Sequence, residues 1–277
     1  MLLPLPKRCA INSDRPLSPG HGKPLLLGST VKARETNVNL RLLARLFGVR
    51  KINLQRGADL GSAFARIATK KIPVGSLINI GSGRGDDIGF FRNTWPEMHS
   101  LMIDMDPRFL PVWEDLAIKH PGLRHIVCGA GSEDTQGFFD KTNDVGGALT
   151  SNTNERSHAT KIRKVDTLVK EFAMPAPYFL KFDTHGVELD VLAGAAETLK
   201  QTNLIMMECY NFKLNFTGGK NLTFDEMSLH MKSIGFRCID MCDPLFRPGD
   251  HALWQMHLIF ARSDHSTFER RSYSAGK

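Results

Sequence analysis

The sequence predicts an α/β fold: a seven-stranded, mostly parallel sheet with helices on both faces and the last strand antiparallel. Three observations lead there. Five short apolar runs, at residues 76–80, 100–104, 124–128, 178–182 and 203–209, alternate with segments of helical periodicity. Two further runs, 236–240 and 255–260, follow with little helical material between them, which suits an antiparallel pair closing the sheet. The first run ends in the turn Gly81-Ser82-Gly83-Arg84-Gly85 and the second in Asp104; in open α/β sheets ligands sit at the carboxyl ends of the strands.

The chain of 277 residues is long enough for one large domain with an extension. The expected divisions are an N-terminal extension at 1–72 (loop, then helices), the sheet domain at 73–262 and a polar tail at 263–277. The composition is that of a soluble globular protein. The formal charge of +7 is spread along the chain, which argues against a nucleic-acid partner. Five cysteines without a CxxC pair fit reduced thiols better than a disulfide framework. No apolar run approaches the ~20 residues of a spanning helix, and the first residues lack the order of a secretory signal. A cytoplasmic protein without stable membrane insertion is expected.

In order, residues 1–30 are rich in Pro and Gly and read as extended loop. Leu40, Leu43, Leu46 and Phe47, then Leu60, Phe64, Ile67 and Ala68, recur at helical spacing and predict two helices before the sheet. The glycine turn after the first strand lets a ligand approach the backbone, because side chains would otherwise collide with it. A tight turn without a ligand is the alternative. Asp104 lies about twenty residues beyond that turn, where a carboxylate can accept hydrogen bonds from ribose hydroxyls; Asp106 is the second choice. A helix follows from Pro107 to Lys119. The third strand leads into Gly129-Ala130-Gly131-Ser132, where an adenine has room by position alone. Residues 137–164 are rich in Ser, Thr, Asn and Gly and read as a polar loop or lid.

A short amphipathic segment from Val165 then delivers the chain into the stretch that carries most of the chemistry. Its strand, ending at Asp183, turns at Gly186 into a helix whose apolar stripe is Leu189, Leu192, Ala196 and Leu199. Asp183, His185 and Glu188 are presented at the turn, and Glu208 closes the next strand. Acids favouring a helix N-terminus are the plainer reading of any one of them. Lys181 is expected to point away from Asp183's neighbours and to pair with an acid structurally. Thr223 and Glu226 have capping-box spacing, and Met227, Met231 and Ile234 give their helix a buried face.

This element order is the shape of the class I S-adenosylmethionine-dependent methyltransferases. A dehydrogenase would more usually show Gly-x-Gly-x-x-Gly and a second nucleotide-binding half. Within that class the residues resemble the FkbM-type methyltransferases from about Leu77 to Arg262. The most specific part is Val165-Asp166-Thr167-Leu168 followed by residues 180–195, Leu-Lys-Phe-Asp-Thr-His-Gly-Val-Glu-Leu-Asp-Val-Leu-Ala-Gly-Ala, which is similar to the family's V-D-x-L and K-I-D-V-E-G-x-E-x-x-V-L-x-G-A pattern. Asn79, His185 and His257 depart from it, where Asp, Glu and Asp are usual.

The resemblance implies methyl transfer from S-adenosylmethionine to an oxygen, commonly a hydroxyl of a sugar or natural product. A small-molecule or glycan acceptor in cell-surface polysaccharide synthesis is the expected substrate. A natural-product O-methyltransferase and a non-catalytic cofactor-binding protein are the alternatives. The expected cofactor residues are Asn79, Gly81, Ser82, Gly83, Gly85, Asp104, Asp106, Ala130 and Asp183. A hydroxyl needs somewhere to send its proton, and His185, Asp183 and Glu208 are the expected catalytic groups. His185 is favoured as base because its ordinary pKa lies nearest neutrality. A divalent ion bridging Asp183 and Glu208 is the less favoured arrangement, and no metal ligand set is assigned.

Overall fold

The computed structural model describes residues 57–140, 148–150, 157–215 and 220–273. The first of the two expected N-terminal helices, the centre of the polar stretch and the last residues of the tail lie outside them. Helix α1 spans Leu60–Ala68, and Asp59 caps it by accepting from the Ser62 amide at 2.8 Å. The main sheet is then laid down by β1 (Ser76–Ile80), β2 (His99–Asp104) and β3 (Leu123–Val127), separated by α2 (Ile88–Thr94) and α3 (Leu110–Lys119). The expected helix from Pro107 opens as a single 3-10 turn, Pro107–Phe109, before α3.

Next come four short strands: β4 (Gly129–Ala130), β5 (Thr135–Asp140), β6 (Ala148–Thr150) and β7 (Ser157–Arg163). They form a separate sheet in the order β4-β7-β5-β6, with β5 antiparallel to both β6 and β7. The expected polar loop is therefore partly sheet. Its Thr, Gln and Lys residues satisfy backbone pairing without giving the apolar alternation that marks a strand in sequence; among the described residues Phe139 and Ile162 supply buried apolar weight.

After α4 (Val165–Glu171), β8 (Tyr178–Phe182) enters the main sheet, followed by α5 (Glu188–Ala193), α6 (Ala196–Leu199), β9 (Thr202–Tyr210), α7 (Phe224–Ser233), β10 (Phe236–Phe246) and β11 (Leu253–Arg262). The strand order is β10-β11-β9-β8-β1-β2-β3. β1, β2, β3, β8 and β9 pair in parallel, and β11 runs antiparallel to both β9 and β10. The sequence reversal between β2 and β8 on either side of β1 is a topological switch point, so the carboxyl ends of β1 and β8 frame a crevice.

Strands β1 and β8 are buried along their full length because both faces are covered. On one face Phe64 of α1, Phe91 of α2, Trp95 and Phe179 of β8 form an aromatic cluster with centroids 4.7–6.1 Å apart. On the other, Val165, Leu168, Val191, Leu192 and Ala195 pack against Leu180 and Phe182.

Of the expected stripe after Gly186, Leu192 is buried and Leu199 packs against the core, but Leu189 is 40 % exposed and Ala196 is exposed as well; Val191 and Ala195 are buried in their place. The helix breaks into α5 and α6 around Gly194, where a Cβ would lie 2.0 Å from the Gly131 carbonyl oxygen, so a close approach to the turn after β4 resets the helical phase. Glu226 reaches back to the Thr223 amide at 2.9 Å, as its spacing predicts, and Met227 and Met231 are core, but Ile234 is 38 % exposed. Among the described residues no helix is long and apolar enough to cross a membrane.

Candidate active site

Gly81, Gly83 and Gly85 all have positive φ, the left-handed backbone that glycine adopts without penalty. At Gly81 the requirement is also steric, because an added Cβ would lie 2.0 Å from the Asp183 carbonyl oxygen. Nothing lies within 4 Å of an added Cβ at Gly83, so the turn faces open space there. The amides of Gly81 and Ser82 donate to the Ile103 carbonyl at 2.9 and 3.1 Å, and Trp113 Nε1 donates to the Gly83 carbonyl at 2.8 Å. The loop is thus tied to β2 and α3.

Asp104 at the end of β2 accepts from the Gly83 amide at 2.9 Å through Oδ2 and from the Asp106 amide at 3.0 Å through Oδ1. A carboxylate has roughly four acceptor positions, so two remain for a diol. Burial pushes its carboxyl above the ordinary range despite those amides. Asp106 does different work: it accepts from the Arg108 amide at 3.0 Å and pairs with the Arg108 guanidinium, so its carboxylate caps the turn into α3. Ala130 is buried in β4 and pairs with Arg163 of β7. Beside it a cavity of about 470 Å³ is lined by Met105, Ile126, Cys128, Phe139, Lys161 and others.

Asn79 of β1 stands beside Lys181 of β8, and both are buried. Lys181 Nζ donates to Asp183 Oδ2 at 2.9 Å and pairs with Asp87 Oδ2 at 3.0 Å. The pairing is the structural one expected, but the direction is not. Residues i and i+2 of a strand share a face, so Lys181 meets Asp183 itself. Burial alone would lower the lysine and raise the aspartate. The ion pairs outweigh it, holding the Lys181 ammonium above the ordinary range and the Asp183 carboxyl below it. Asn79 Nδ2 approaches Asp87 at 3.4 Å, while its buried Oδ1 has no hydrogen-bond partner.

His185 stands on the turn with Nε2 3.6 Å from Glu208 Oε2. That carboxylate, outweighing burial, raises the imidazole above its ordinary value of 6.5. Tyr210 donates its hydroxyl to the same oxygen at 2.9 Å, and Gln255 of β11 donates to the other. Glu188 is drawn into the turn, where its Oε1 accepts from Thr184 Oγ1 at 3.0 Å and from the Gly186 amide at 2.9 Å; it braces the loop and lies buried.

The structure therefore brings Asp183, His185 and Glu208 together, with one ligand-type atom of each within 4.8 Å of the others. Asp104 and the glycine turn stand across the crevice at the ends of β2 and β1. Sequence reading missed Asp87, Tyr210 and Gln255. Tyr210 was within reach, being two residues beyond Glu208 on the same face, but Gln255 meets Glu208 only through β9–β11 pairing.

The methyltransferase FkbM domain profile matches residues 75–238. No curated protein matches the sequence. Among solved structures, the precorrin-6y C5,15-methyltransferase of Geobacter metallireducens is 10 % identical, covering 72 % of this chain and 86 % of its own with a TM-score of 0.38. TrmK of M. capricolum, solved with S-adenosylhomocysteine, is 9 % identical, covering 73 % and 68 % with a TM-score of 0.39.

Proposed function

The chain belongs to the FkbM methyltransferase family, its cofactor is S-adenosylmethionine, and from that premise we propose that it methylates a hydroxyl of a sugar or glycan with His185 as the general base. The observation that carries this reading is the His185–Glu208 contact beside the switch point, because it pairs a near-neutral base with a carboxylate that orients it.

The residues at the strand ends suit the cofactor. The open face over Gly83 leaves room for close approach, the two remaining acceptor positions of Asp104 fit a ribose diol, and the orphaned Asn79 Oδ1 is a buried acceptor suited to an ammonium group. Gly81, Ser82 and Gly85 shape that turn. The cavity lined by Met105, Ile126 and Cys128, two residues before Ala130, suits the base, and Asp106 supports Asp104 from behind through its amide. S-adenosylmethionine supplies an electrophilic methyl group when bound.

For the chain's own residues, the division of labour follows from charge. Asp183 is engaged by Lys181 and is held ionised, so it is a weak base and a fixed negative charge near the methyl-donor end. His185 accepts the acceptor hydroxyl's proton at its other ring nitrogen, Nδ1, while Glu208, beside Nε2, stabilises the imidazolium that results. Tyr210 and Gln255 hold Glu208 in place, which keeps the rotamer search out of the reaction. A divalent ion bridging Asp183 and Glu208 would have to stand beside the Lys181 ammonium, and this favours the metal-free arrangement.

The test is transfer of isotopically labelled methyl groups from S-adenosylmethionine to a panel of oligosaccharides, nucleotide sugars and polyketide alcohols. Label in an alkali-stable methyl ether on a sugar, lost in His185→Gln, supports the reading. Label only on polyketide alcohols replaces the substrate class, and cofactor binding without turnover on any acceptor leaves a binding protein. Full activity in a chelator removes the bridging metal.

A further inference from the structure

A second cluster lies one strand beyond the site. Cys242 of β10 is the register partner of His257 in β11, and His257 is in turn the register partner of Glu208 in β9. Neighbours in a strand normally point to opposite faces. At Asp243, however, the pairing shifts register and the backbone takes φ 50°, left-handed for a non-glycine residue. This brings Asp243 Oδ2 to 3.7 Å from His257 Nδ1. One ligand-type atom from each of Cys242, Asp243 and His257 lies within 4.8 Å of the other two.

Three features separate this cluster from a chance meeting of polar groups. His257 Nδ1 is buried and has no hydrogen-bond partner, although a buried imidazole nitrogen ordinarily finds one. Asp243 Oδ1 accepts from the Leu60 amide at 3.1 Å, and the Asp243 amide donates to the Ala58 carbonyl, so the carboxylate is oriented with Oδ2 left toward the histidine. The nearby cation is already committed: Arg66 donates to both oxygens of Asp240 at 2.7 Å and to the Gly57 carbonyl. The Asp183 cluster, by contrast, already holds an ammonium.

We propose that Cys242, Asp243 and His257 bind a zinc ion that staples the β10–β11 hairpin to the start of α1. Thiolate, imidazole and carboxylate are the zinc ligand set, and three protein ligands leave a fourth position for water. On binding, the cysteine thiol releases its proton to the buffer and the sulfur, the histidine nitrogen and one aspartate oxygen each donate a pair to the metal. The Leu60 amide on Asp243 supplies the outer hydrogen bond that fixes a ligating carboxylate.

The test uses the full-length, tag-free protein, stripped with a chelator and titrated with Zn2+ against a chromophoric indicator, and separately with Co2+. One zinc per chain, a thiolate-to-cobalt band in the near ultraviolet and a melting temperature raised by about 5–10 °C are expected. Cys242→Ser and His257→Gln should each weaken binding on the order of 100-fold, with Cys238→Ser, a cysteine outside the cluster, unchanged. Circular dichroism of each variant establishes folding; if Cys242→Ser does not fold, His257→Gln carries the test. No stoichiometric zinc in the wild-type protein, or unchanged affinity in either folded variant, overturns the site. Cofactor binding is read separately by titration with S-adenosylhomocysteine, so failure here leaves the methyltransferase reading standing.

Discussion

Lys181 decides how the two acids and the histidine around it divide their roles. A buried ammonium between Asp87 and Asp183 is held there by two ion pairs, and removing it leaves two half-buried carboxylates without that counter-charge. Lys181→Met should cost about 1–3 kcal/mol, a fall in melting temperature of roughly 5 °C, and scanning calorimetry reads it; an unchanged transition would show that the pairs contribute nothing. His185→Gln should lower kcat by about 10²–10⁴-fold while leaving S-adenosylhomocysteine affinity intact. The imidazole is raised by Glu208, so the neutral, proton-accepting form appears only above its ordinary value near 6.5. The basic limb of kcat should therefore rise through an apparent pKa above that value and move down in Glu208→Gln. The stability contribution runs oppositely. It is fully present below the unfolded pKa and lost as pH rises through the folded one. A limb centred below 6.5 would sink the assignment. At this scale Asp183 and His185 were legible because they follow a strand end and open a turn, and Glu208 because it lies near a strand end, although β9 runs on past it to Tyr210. Asp87 and Gln255 were not, since nothing local marks a residue whose partner arrives from another strand.

The elements explain why the site is held rigid. Gly81 lets β1 and β8 close to the point where a Cβ would overlap the Asp183 carbonyl. Gly81→Ala should therefore separate the strand ends, weaken S-adenosylhomocysteine binding by at least about tenfold, about 1.4 kcal/mol, and lower stability as well; wild-type affinity in that variant would mean the contact is relieved by a small local shift. Phe179, wholly buried among Phe64, Phe91 and Trp95, should cost about 3–5 kcal/mol on truncation to Ala, measured by urea denaturation. The main strands were readable because burial on both faces leaves unbroken apolar runs. The small sheet of β4–β7 was not, because its strands are short and their sequences, such as Thr135–Asp140 and Ser157–Arg163, lack an apolar alternation. The break between α5 and α6 escaped too, as Gly194 yields to a contact with Gly131 that only the folded chain makes.

For the molecule as a whole, the strand order places the reversal at β1, and the glycine turn, Asp104 and the His185–Glu208 pair all lie at carboxyl ends around it. Alternation of strand and helix foretold a mostly parallel sheet, and the final pair of runs foretold its antiparallel last strand. The motif around residues 180–195 added the family, which the profile match bears out. What alternation could not supply is the cross-strand pairing of Asn79 with Lys181 and of Glu208 with His257, because it depends on register between strands distant in sequence. Every role proposed for these residues requires that the crevice bind the methyl donor. Calorimetric titration with S-adenosylhomocysteine, with NAD as the control ligand, tests it before any acceptor is known. Saturable binding of S-adenosylhomocysteine at one site per chain is expected, at least about tenfold weaker in Asp104→Asn, with no heat from NAD. An absence of binding by the folded wild-type protein, or equal affinity in Asp104→Asn, would contradict it.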